Sequence, residues 1–127
     1  YDTLWETFDG ETGTVNHGWT AAPLYILSKY AAGVRPTVAG FEEYKIAPCA
    51  ALDSFDCTVW TPKGEIGVKL ETTAEGKTLT VNAIDAVGTI IVPEGMGTDI
   101  TVTGGDCQVD GNRVVVTQAG EYIVTIR

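Results

Sequence analysis

The sequence predicts a mainly β protein: an antiparallel two-sheet β-sandwich over residues 36–127, preceded by one apolar α-helix. Three observations lead there. The chain has 127 residues, 44% of them hydrophobic and 20% charged, which is the size and balance of one soluble domain with a real core. Beyond Arg35-Pro36 the apolar residues alternate with period two in short β-branched runs. Ahead of it they recur at helical spacing instead.

The helix is expected over Trp19 to Ala32, where Trp19, Pro23, Ile26, Leu27, Tyr30 and Ala31 fall on turns of a 3.6-residue period. Thr20 is placed to cap it, Pro23 fits only in its first turn, and Gly33 is placed to stop it. Ala22, Leu24 and Tyr25 make the remaining face apolar as well. A helix that is apolar all round normally lies between other helices, and no second helix is predicted to cover this one.

The strands follow in order. Phe41 to Ile46 alternates and reads as the first. Cys57 to Thr61 and Ile66 to Glu71 flank Pro62-Lys63-Gly64 and form a hairpin. Glu75-Gly76 separates that pair from Leu79 to Ile84, and Gly88 opens the run Thr89 to Val92 that Pro93 ends. Ile100 to Thr103, Cys107 to Val109, Arg113 to Val116 and Tyr122 to Ile126 complete the set, with Asp110-Gly111-Asn112 as the plainest tight turn. The alternation assigns Ile66, Val68, Leu70, Leu79, Val81, Ile91, Val102, Val115, Ile123 and Ile126 to the core.

Charge and composition exclude several functions. Seventeen acidic against 8 basic residues give −9, which repels phosphate backbones, so no nucleic acid is expected as partner. No apolar run reaches the ~20 residues of a membrane span, so no membrane is expected either. Cys49, Cys57 and Cys107 lack the spacing of a zinc site and are read as free, half or fully buried thiols. The pairs Asp53/Asp56 and Asp106/Asp110 are assigned to turns rather than to calcium, so no metal and no cofactor is expected. The chain opens at Tyr1 directly into apolar and aromatic residues, which reads as a piece of something longer. The uncovered helix is expected to pair two copies in a homodimer.

Carboxylates are the one plentiful catalytic group, and glycoside hydrolysis is a chemistry that needs little else. The lone His17, between Asn16 and Gly18, belongs on base rates to a structural hydrogen bond, although its place at the mouth of a helix suits a site.

The order and spacing of Thr3-Leu4-Trp5-Glu6, Asn16-His17, Tyr30 to Pro36, Gly40-Phe41 and Tyr44 to Pro48 resemble the C-terminal part of bacterial α-L-rhamnosidases. The likeness is specific over residues 1–48 and architectural from Cys49 onward. It implies a large (α/α)6 barrel that holds the active site, followed by a C-terminal β-sandwich. Residues 1–35 then correspond to the end of the barrel, a loop plus its last helix, and residues 36–127 to the sandwich. Glu6 takes the role of general base, His17 lines the sugar pocket, and Trp5 either faces the sugar or packs in the barrel. The substrate class is rhamnose-containing glycosides, hydrolysed with inversion by the full-length enzyme. The general acid lies on barrel helices ahead of Tyr1, so the chain alone is expected to be inactive. Compartment is left to whatever precedes Tyr1: cytoplasm, periplasm or secretion. The alternative is a stand-alone β-sandwich carbohydrate-binding or interaction module with Trp60 or Phe55 as stacking platform, against which a strand Trp is more often half-buried.

Overall fold

The computed structural model describes residue 7, residues 12–13 and residues 18–127, without the side chains of Trp19 and Thr20. The helical segment exists but is not one regular helix. A 3₁₀ turn, Gly18–Ala21, leads into α1 (Ala22–Ile26) and then into a π turn, Leu27–Ala31. Pro23 does sit in the first turn of α1, whose N-cap is Ala21 and carries no side-chain cap. The Ser28 hydroxyl donates back to the Leu24 carbonyl at 2.9 Å, a bond that bends helices. The Ala32 amide then reaches the Leu27 carbonyl five residues back, also at 2.9 Å, and Gly33, at φ +75°, ends the winding.

Ten strands follow: β1 (Val34–Pro36), β2 (Glu43–Ile46), β3 (Ser54–Thr61), β4 (Gly64–Thr73), β5 (Gly76–Ala83), β6 (Val87–Ile91), β7 (Ile100–Gly104), β8 (Cys107–Asp110), β9 (Arg113–Val116) and β10 (Gly120–Ile126). They form two five-stranded sheets, ordered β1-β2-β6-β9-β8 and β3-β4-β5-β10-β7. The sandwich is therefore as expected in class. Its pairs are antiparallel except β2 with β6, which run parallel. The reason is topological: the chain leaves β2, crosses to the other sheet for the three-strand meander β3-β4-β5, and returns to β6 pointing as β2 does.

Two hairpins close by the same device. Thr61 Oγ1 donates to the Gly64 carbonyl at 2.7 Å and accepts from the Lys63 amide, and Thr73 does the same with Gly76 and Glu75. The strand expected from Phe41 begins at Glu43 instead. Gly40 and Phe41 have φ of +70° and +59°, so the chain passes through two left-handed residues before it can extend.

The core lies between the sheets. Ile66, Val68 and Leu70 of β4 and Leu79 and Val81 of β5 are buried, as is Ile126, all as expected. Val102 is half-buried but packs against the core on the face the alternation assigned; Ile91, Val115 and Ile123 are half-buried too and do not join the core cluster, which corrects the expected list. Their neighbours Ile90, Val114, Val116, Tyr122 and Val124 hold the inward places. In those runs both parities are apolar, so alternation alone cannot choose the inward face.

Two tyrosines sit in the core with different fates. Tyr122 is fully buried and donates to the Gln118 carbonyl at 3.1 Å, a tyrosine corner of the kind that sandwiches use. Tyr44 is 1% exposed, and its hydroxyl has no hydrogen-bond partner in good geometry. Burial pushes it up to about 12, offset in part by the nearby backbone of Ile84. The three cysteines are free and half-buried.

Candidate functional site

Glu6, Trp5 and His17 lie outside the described residues. The structure instead brings together a groove at the junction of the helical segment and the sandwich. It has a volume of about 450 Å³ and is lined by Tyr25, Ser28, Lys29, Val34, Arg35, Pro36, Phe41, Val59 and Trp60.

The junction is built by backbone bonds. The Cys49 amide donates to the Ala31 carbonyl at 2.9 Å and the Ala47 amide to Gly33 at 3.1 Å, while Val34 pairs with Ile46 in the ladder. Ala32, Gly33 and Val34 are buried, so the last helical turn is welded to the end of β2. On the far wall, Lys63 forms a 2.8 Å ion pair with Glu42 and ties the β3–β4 hairpin to the turn that carries Phe41. Phe41 itself holds a left-handed backbone, which costs a non-glycine residue about 1–2 kcal/mol, with its ring 6.5 Å from that of Tyr44.

Trp60 is 77% exposed at the outward face of β3. This corrects the expectation that a strand Trp is half-buried. The parity of β3 places Phe55, Cys57 and Val59 inward against Leu70, Val68 and Ile66, which leaves Trp60 outward, opposite Glu65. Phe55, the other suggested platform, is half-buried against the core.

The groove is rich in cations and donors. The Lys29 ammonium donates to the Tyr25 hydroxyl, a bond that holds it above its ordinary pKa, and stands over the Tyr25 and Tyr30 rings at 4.8 and 5.4 Å. Arg35 donates its Nε–H to the Lys29 carbonyl at 2.9 Å and lays its guanidinium 4.9 Å over the same Tyr30 ring. No carboxylate lines this groove, and neither cation has an acidic partner among the described residues. The arrangement can bind and orient a ligand; the residues that line this groove offer no nucleophile with a base, nor a carboxyl pair, to react with one. Sequence reasoning missed Tyr25, Lys29 and Arg35. The available signal was the four-residue spacing of Tyr25 and Lys29 and an Arg just past the helix-stopping Gly33.

Elsewhere, a larger cleft of about 760 Å³ runs along residues 92–98 to Asn112, with Glu94 its one charged lining residue. Among the described residues no group of three or more His, Cys, Asp or Glu is arranged for a metal ion, and no helix is long and apolar enough to cross a membrane.

No protein-family model matches the chain, and no curated protein matches it in sequence. Solved structures do match. The chain superposes on the α-L-rhamnosidase of Dictyoglumus thermophilum with a TM-score of 0.69 at 18% identity, covering 98% of this chain and 16% of that one. On the Streptomyces avermitilis α-L-rhamnosidase, solved with L-rhamnose, the TM-score is 0.66 at 16% identity, covering 94% and 13%. The fold is that of a segment of α-L-rhamnosidases. Nearly the whole of this chain, helical segment included, therefore corresponds to about one seventh of an enzyme of that kind.

Proposed function

We propose that the chain is the C-terminal portion of an α-L-rhamnosidase-like glycoside hydrolase, which removes terminal α-L-rhamnose from glycosides when the polypeptide is whole. The observation that carries this reading is the extent of the fold match: almost the entire chain aligns to a small share of two α-L-rhamnosidases. A self-contained binding module has no use for an exposed apolar helix ahead of its sandwich, whereas the end of a helical barrel does. Residues 1–35 are then the end of that barrel and residues 36–127 the C-terminal sandwich.

In this reading Glu6 is the general base. Its carboxylate takes a proton from a water held on the far side of the sugar, and the water oxygen bonds to the anomeric carbon as the glycosidic bond breaks. A second carboxyl, on the preceding barrel, protonates the departing oxygen. Inversion needs the two about 6.5–9.5 Å apart, with room for the water between sugar and base. His17 hydrogen-bonds the sugar, and Trp5 stands beside the base. With one carboxyl supplied from outside, the 127-residue chain alone is inactive.

The test compares the 127-residue chain with the same chain extended N-terminally through its barrel, on an aryl α-L-rhamnoside. Turnover by the extended polypeptide only is the expected result. Turnover by the short chain at the same rate rejects the reading. The competing account, a carbohydrate-binding or interaction module, is favoured by one observation, the 77% exposure of Trp60.

A further inference from the structure

We infer that the groove between the helical segment and the β3–β4 hairpin is a binding site for an acidic sugar, a uronate residue of a glycan. The inference rests on the described residues and concerns the 127-residue chain by itself.

Charge points to an anion. The chain carries −9 overall, yet two cations, Lys29 and Arg35, converge on one groove and stand over one Tyr30 ring. No carboxylate stands among the lining residues to neutralise them. Arg35 spends its Nε–H on the Lys29 carbonyl, which leaves the paired terminal N–H groups of the guanidinium for a ligand. A carboxylate matches that fork in a bidentate way.

The remaining lining points to a sugar. Trp60 and Tyr25, 77% and 58% exposed, present large faces to solvent at the rim, and Phe41 and Pro36 add apolar surface. A pyranose has an apolar C–H face that lies flat on an aromatic ring while its hydroxyls point away. The donors offered by Arg35, Lys29 and the Trp60 indole, against so few acceptors, suit a ligand rich in oxygen acceptors. A neutral sugar, whose hydroxyls also need acceptors, would find only the Ser28 and Tyr25 hydroxyls on the side chains. The volume of about 450 Å³ falls in the range of small-ligand sites. The open rim lets the rest of a polymer continue into solvent.

The site is also held in place. The Ala31–Cys49 backbone bond holds its helical wall to the sandwich, and the Lys63–Glu42 ion pair bridges its hairpin wall to the turn of Phe41.

The experiment titrates the 127-residue chain with tri-galacturonate, with maltotriose as a neutral control of equal length, with acetate as a carboxylate without a ring, and with an oligo-glutamate peptide. Calorimetry reads affinity, and the Trp60 indole N–H cross-peak reads location. Binding of tri-galacturonate that shifts the Trp60 peak is expected. Trp60→Ala and Arg35→Gln should each weaken it about ten-fold or more, and the other three probes should bind at least about ten-fold less tightly. Trp60→Ala is safe for folding because the side chain is exposed; should Arg35→Gln fail to fold, Lys29→Met carries the same expectation. The inference is overturned by absence of binding at millimolar ligand, by equal binding of maltotriose or acetate, by tighter binding of the peptide, or by an unchanged affinity in Trp60→Ala.

Discussion

Replacing Tyr44 by Phe should stabilise the protein, and the structure says by how much and at which pH. The ring is 1% exposed and packs where Gly88 leaves room: a Cβ at position 88 would stand 2.5 Å from Tyr44 Cζ. The hydroxyl has no hydrogen-bond partner in good geometry; the Ile84 backbone lies near it without making such a bond. A buried, unsatisfied hydroxyl costs about 1–3 kcal/mol, so Tyr44→Phe, which keeps the ring and removes the orphaned group, should gain about 1 kcal/mol or more at pH 7. For a domain of this size that raises Tm by roughly 3–6 °C. The gain should widen in alkali. The Tyr44 pKa is raised from 10.0 to about 12 because the phenolate is harder to bury than the phenol. The stabilisation from keeping it neutral is thus fully present below pH 10 and is lost as pH rises through 12. Two pH units correspond to about 2.7 kcal/mol, which wild type should lose relative to the variant across that window. Urea unfolding of both proteins from pH 7 to 12 measures the difference, in which the common titration of other groups cancels. A variant less stable than wild type by more than about 1 kcal/mol at pH 7 would refute the reasoning, because it would mean that the hydroxyl is bonded.

Gly33→Ala should destabilise by more than about 3 kcal/mol, since the residue has φ +75° and an added Cβ would stand 1.9 Å from the Ala47 carbonyl oxygen; a thermal melt reads it, and a drop in Tm under about 9 °C contradicts it. The exposed helix should pair two copies of the chain through Leu24, Ile26 and Leu27, which lie outside the groove and are 50–66% exposed; covering each such side chain is worth up to about 1.5–3 kcal/mol. Sedimentation equilibrium should show a dimer at micromolar concentration that Leu27→Glu dissociates, and a wild-type monomer there contradicts it.

Much of the fold was legible because its strands obey a simple rule. The β4 run Ile66-Gly67-Val68-Lys69-Leu70 alternates without ambiguity, and so do its turns, where Thr-x-x-Gly recurs at 61–64 and 73–76. Legibility failed where the local pattern carries two answers. Ile90-Ile91, Val114-Val115-Val116 and Tyr122-Ile123-Val124 are apolar on both parities, and only the sheet pairing decides which face turns inward. The parallel β2–β6 contact is set by a crossover through the other sheet, which no short window encodes. The helix was placed correctly but its winding was not, because the π turn depends on tertiary bonds from Ala31 and Gly33 to Cys49 and Ala47. The groove was illegible for a related reason: Trp60 lies 25 residues beyond Arg35, and neither a helical nor a strand period joins it to Lys29 and Arg35. The sites that were read by resemblance, Glu6, Trp5 and His17, lie outside the described residues.

The most direct test of the hydrolase account is Glu6→Gln in the polypeptide that includes the barrel, assayed on an aryl α-L-rhamnoside. Gln keeps the size of the side chain and removes its capacity to take a proton, so kcat should fall by about 10²–10⁴ while the folded state, followed by its melting temperature, stays within about 2 °C of wild type. A kcat within about three-fold of wild type would show that Glu6 is not the base, and with it the assignment of residues 1–35 to a rhamnosidase active site would fall.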